Sequence, residues 1–192
     1  MKRLLIIVAV GLMAGPAVAQ DQEPDAAALM EAYAAASRPG KHHQMLQPLI
    51  GTWKTTTRAW VAPGAEPIET GGKVQKSWDL DNRFIREELS GETPMGPYHG
   101  VGYLGFDNAT KQYQGVWLSS MSTGMIHYTG TMNEDGTKLT ARGQEADPST
   151  GMMLDFEMTI TMDGPDKHTL EFWYLLPENQ KMKAFEIVHE RS

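Results

Sequence analysis

Histidine is the residue type here with the widest chemical range, and the spacing of the six decides against most of it. His42, His43, His99, His127, His168 and His189 form no i, i+4 pair around a glutamate and no HxH strand pair. Local spacing therefore predicts no metal site. His99 and His127 fall in adjacent strand regions and are expected to converge on a cavity. Ser119, Ser120 and Ser122 lack the Gly-x-Ser-x-Gly turn that exposes a nucleophile, so no catalytic residue is assigned. Arg86 and Glu88 share one strand face and form a candidate pair for orienting a ligand head group. Trp117, Met121 and Met125 supply the apolar counterpart, because thioethers and rings line adaptable cavities. Of the thirteen methionines only Met152 and Met153 are close neighbours, which argues against copper.

Positioning such residues falls to strands. From Gly51 onward the hydrophobic period is two. Leu154, Phe156, Met158, Ile160 and Met162 alternate with Asp155, Glu157, Thr159 and Thr161, which gives one face to a core and one to water. Between Gly96 and Gly124 the chain reads as strand, turn at Asp107-Asn108, strand. Other turn signals include Gly71-Gly72, Asp81-Asn82, Glu134-Asp135-Gly136 and Asp163-Gly164-Pro165. About ten strands result, uninterrupted by helical segments. Sequential hairpins of this kind close most simply into an antiparallel up-and-down barrel, which removes exposed sheet edges. Gly100, Gly102, Gly105, Gly115, Gly130 and Gly143 lie inside strand candidates and are expected at sharp bends or cleared space. Ahead of the strands, Pro24 and Pro39-Gly40 bracket a helix over 25–37, and a shorter helix is expected over 41–49.

The first residues, MKRLLIIVAVGLMAGPAVA, combine a basic start, a short apolar run and small residues at 17–19. That is the pattern of a secretory signal peptide, with cleavage expected after Ala19 and a periplasmic or secreted product. Losing Lys2 and Arg3 takes the formal charge from −7 to −9. So acidic a chain, without a Lys/Arg run, is not expected to bind nucleic acid. No membrane association is expected after signal removal, and the absence of cysteine excludes both disulfides and a lipid-modified cysteine.

A wider set of residues carries a resemblance. His43, Leu46, Leu49 and Gly51-Thr52-Trp53 open it; Trp78, Arg83-Phe84, Gly100-Val101-Gly102 and Gly105-Phe106-Asp107-Asn108 continue it. Tyr113, Trp117, Ser120 to Gly124, Asp147-Pro148, Thr150-Gly151 and Glu186-Ile187-Val188 complete it. Together they resemble the bacterial family called domain of unknown function 1579, over nearly the whole chain beyond the leader. The resemblance implies a mainly β, calycin-like barrel with one or two N-terminal helices and no established activity. Gly51-Thr52-Trp53 is also similar to the Gly-x-Trp opening of lipocalin barrels, which implies a structural plug of Trp53 beneath Arg191. His189 invites comparison with haem-binding calycins, but a single late histidine is no signature and no cofactor is expected. The expected division is signal peptide 1–19, helical segment 20–50 and barrel 51–192. The expected function is binding of a small apolar or amphipathic molecule by a monomer or homodimer. An enzyme of isomerase or hydrolase type using the same cavity, and an envelope interaction protein with a filled barrel, are the alternatives.

Overall fold

The computed structural model describes residues 25–192; the expected signal peptide lies outside the described residues. Helix α1 (Ala26–Ala36) starts at Asp25, whose carboxylate accepts from the Ala27 N–H at 3.2 Å. None of its residues is buried, as the thin stripe of Leu29, Tyr33 and Ala36 requires. Asn108 ties down its end by donating to the carbonyls of Ala36 and Arg38, both at 2.8 Å. The shorter helical segment is broken in two: α2 (Lys41–Gln44) and a 3₁₀ turn over Gln47–Leu49. Pro48 lacks the N–H that a continuing α-helix would need. Leu46 and Leu49 are fully buried and close one end of the barrel.

Ten strands follow: β1 (Gly51–Ala59), β2 (Ile68–Asp79), β3 (Phe84–Thr93), β4 (Gly96–Asp107), β5 (Gln112–Ser119), β6 (Ile126–Met132), β7 (Lys138–Ala146), β8 (Met153–Met162), β9 (Lys167–Leu175) and β10 (Lys181–Arg191). Each pairs antiparallel with its sequence neighbour, and β10 pairs with β1, so the barrel is closed. The expected architecture is the observed one. The last pairing sets Trp53 opposite Arg191. The Arg191 guanidinium lies 4.1 Å over the Trp53 ring and donates to the carbonyls of Ile50, Pro48 and Pro165 and to the Asp166 carboxylate. Trp53 in turn donates to the Leu49 carbonyl at 2.9 Å. Arg191→Ala is expected to cost about 2 kcal/mol, from the lost cation–π contact and hydrogen bonds. Urea unfolding checks this, and Arg191→Lys should recover only part of the loss, because an ammonium has no planar fork.

The in-strand glycines serve close approach. A Cβ on Gly100 or Gly102 would stand 2.2 or 2.5 Å from the ring of Trp117, and one on Gly115 would stand 2.1 Å from the Tyr128 ring. These positions are vacated for aromatic side chains of the neighbouring strand. On the outer wall Glu157 binds Arg142 and Lys181, both at 2.6 Å, while Lys183 binds Glu186 and Glu171.

Candidate functional site

Strand parity sorts every side chain into lumen or outer wall. On β2 the even positions point inward (Val74, Lys76, Trp78); on β3 the odd ones do (Ile85, Glu87, Leu89). The lower lumen, against the helical segment, is packed solid by Leu46, Leu49, Ile85, Leu104, Phe106 and Leu139. Above it remains a cavity of about 280 Å³. Its wall is apolar, with Val74, Leu89, Phe156, Ile160, Leu170 and Phe172. It reaches the end of the barrel away from the helices, where Ala59, Thr70, Thr93 and Glu145 line it.

The floor is polar. Glu87, His189 and Thr55 line it, and Lys76 and His168 lie beneath. The Lys76 side chain is 1% exposed, and its Nζ sits 3.2 Å from Glu87 Oε2. A buried ammonium needs such a partner, since desolvation is otherwise uncompensated. His168 and His189 are direct partners across β9 and β10 and stack with ring centroids 4.1 Å apart. Trp53 packs edge-on against His168 at 4.4 Å. His168 Nε2 and His189 Nδ1 have no hydrogen-bond partner among the described residues. Burial, reinforced by the nearby Lys76 charge, pushes both imidazoles far below their usual range, His189 to about 2. Both rings are therefore neutral at ordinary pH. Burial, with Glu87 close by, pushes the Tyr128 hydroxyl up. Towards the mouth, Tyr174 donates to the Glu145 carboxylate, and burial raises its hydroxyl as well.

Of the residues singled out from the sequence, Trp117 stands in the cavity wall and donates to the Tyr98 hydroxyl at 3.0 Å. Met121 and Met125 lie exposed in the β5–β6 loop at the mouth end. His99, His127 and Arg86 occupy the outward parity of β4, β6 and β3, so the structure does not bring them to the lumen. Arg86 does pair with Glu88, on the outer face. His43 is buried at the helical cap, where its Nδ1 accepts from the Gly40 N–H at 3.1 Å. The floor residues Lys76, Glu87 and His168 were not singled out by sequence reasoning as ligand-facing. The available signal was phase, because Lys76 is in step with Val74 and Trp78, and Glu87 with Ile85 and Leu89.

The arrangement can hold a small apolar body and present polar groups to one end of it. Among the described residues no cluster of three or more His, Cys, Asp or Glu side chains could hold a metal ion, and no helix is long and apolar enough to cross a membrane.

Two solved structures share the fold. Rv2717c from M. tuberculosis is 17% identical, with a TM-score of 0.57 over 81% of this chain and 99% of its own. The S-type phycobiliprotein lyase CPES from Guillardia theta is 14% identical, with a TM-score of 0.51 over 80% and 98%. No curated protein matches the chain in sequence. The family description "Protein of unknown function (DUF1579)" matches residues 38–191, from just beyond α1 to the last residue of β10, so the chain belongs to that family.

Proposed function

We propose that the protein binds a small apolar or amphipathic molecule in the barrel lumen and does so after export, as a mature chain beginning at Gln20. The cavity of about 280 Å³ carries this reading. It falls just below the usual size of small-molecule sites, roughly 300–1,000 Å³, and has their usual character of an apolar wall with few polar groups. A filled-barrel interaction protein would have no such space. The structural neighbours, one of them named a phycobiliprotein lyase, support the fold alone, so the weight rests on the cavity.

Native mass spectrometry on chain purified from its envelope compartment tests both halves. The expected result is a polypeptide starting at Gln20 with an excess mass that denaturation releases. A full-length mass counts against cleavage after Ala19, absence of the chain from the envelope fraction counts against export, and a bare polypeptide at every preparation counts against binding. Ile187 lines the cavity. Ile187→Trp is therefore expected to weaken binding of the apolar dye N-phenyl-1-naphthylamine by about tenfold or more, while overpacking costs only about 1–3 kcal/mol of stability. Undiminished dye binding by a folded variant would place the site elsewhere.

A further inference from the structure

We infer that the floor of the lumen selects a neutral hydroxyl group, so that the ligand is an apolar molecule ending in an alcohol. This rests on the lumen being the binding site and goes on to name what that site reads. Glu87 lines the cavity, with Lys76 drawn against one of its oxygens at 3.2 Å. A carboxylate offers about four lone-pair positions, and Lys76 occupies only part of them. Glu87 can thus accept from a ligand. His189 is 3% exposed, lines the same cavity, and has an Nδ1 with no partner among the described residues. Thr55 adds a hydroxyl to the same floor.

Charge decides between head groups. Lys76 and Glu87 already neutralise each other, and the two imidazoles are neutral. A carboxylate head would bring a second anion beside Glu87. An ammonium head would bring a second cation beside Lys76. Either adds an uncompensated charge at the closed end of an apolar cavity, where desolvation is not repaid. A hydroxyl adds none: it donates its one proton to Glu87 and can accept from the Thr55 hydroxyl. The cavity of about 280 Å³ sets the scale of the body as a small molecule. An eight-carbon chain with one oxygen matches it.

The test is calorimetric titration of the mature protein with 1-octanol, octylammonium, octanoate and 1-methoxyoctane, which share a chain and differ at the head. The expected order puts 1-octanol about tenfold or more ahead of each of the others, the worth of one hydrogen bond to a charged acceptor. Octanoate or octylammonium binding as tightly as the alcohol overturns the assignment. Equal affinity for all four overturns it too, while leaving lumen binding intact. No binding by any of the four, together with no uptake of N-phenyl-1-naphthylamine, removes the binding reading and this inference with it. A variant carrying Lys76→Met and Glu87→Leu, shown to be folded by its thermal transition, should bind the alcohol and the methyl ether within about threefold of each other. Retention of the full alcohol preference by that variant would also overturn the inference.

Discussion

Glu87→Leu is expected to lower the unfolding free energy by about 3–5 kcal/mol, whereas adding Lys76→Met to it should restore all but about 1 kcal/mol. The asymmetry follows from where the pair sits. Lys76 is among the largest fully buried side chains of the barrel, and Glu87 is the carboxylate its ammonium touches. With Glu87 gone, the Lys76 amine is left in an apolar interior without the carboxylate that offset its desolvation. The double variant leaves no charge, and methionine and leucine approximate the volumes removed. A domain of this size is stable by only about 5–15 kcal/mol, so the single variant should sit close to its unfolding threshold at 37 °C. Urea unfolding of wild type, both single variants and the double variant forms a double-mutant cycle whose coupling term should be about 2–4 kcal/mol plus whatever Lys76→Met costs alone. A Glu87→Leu loss below about 1 kcal/mol would mean that Lys76 finds water or another partner, and that the floor is less dry than its burial states.

The same two residues show where sequence reasoning ends. Strand β8 announces its faces without ambiguity, because Leu154 to Met162 alternate with Asp155 to Thr161. Turn residues between such runs are enough to count hairpins, and closure of ten hairpin-linked strands follows from the need to hide edges. On β4 the alternation is blurred. Its inward positions include Gly100 and Gly102, while outward Val101 and Tyr103 are the apolar ones. Reading the apolar side as inward inverts the strand and turns His99 the wrong way. Only the ring of Trp117, arriving from β5, explains why the inward positions are empty. His127 fails for a related reason, since on β6 it alternates with Tyr128 and Gly130, whose inward direction is visible only once Tyr128 is seen over Gly115. Lys76 and Glu87 were obscured by the rule that charges face water. They meet because β2 and β3 pair in one register, which sets Lys76 opposite Glu87. His168 and His189 meet through the register of β9 against β10. Register is a property of closure and side-chain packing, not of any single strand.

Acid should destabilise the barrel well before its carboxylates titrate. The stacked pair His168 and His189 is the reason, and the direction is fixed by where each imidazole gains its proton. Folded, both rings are held neutral, first by burial and then by the Lys76 charge, with His189 not protonating until about pH 2. Unfolded, both titrate near pH 6.5. Below about 6.5 the unfolded chain therefore binds more protons than the native one, and stability falls as pH falls. Above that pH the contribution is fully present. At pH 5 each ring stands about 1.5 units below its unfolded value, worth about 2 kcal/mol at ~1.36 kcal/mol per unit, so the pair removes about 4 kcal/mol relative to pH 7.5. His43, also lowered by burial, adds in the same direction. The carboxylates with depressed values, Asp107, Asp147, Glu157 and Glu186, act only at lower pH, because their unfolded values already lie near 4. Urea midpoints at pH 7.5 and 5.0 measure the loss. His189→Gln should cut the pH-dependent part by about half, whatever its effect on stability at pH 7.5, because one imidazole fewer remains to be protonated on unfolding. An undiminished pH dependence in that variant would show that His189 takes up its proton equally in the native and the unfolded chain.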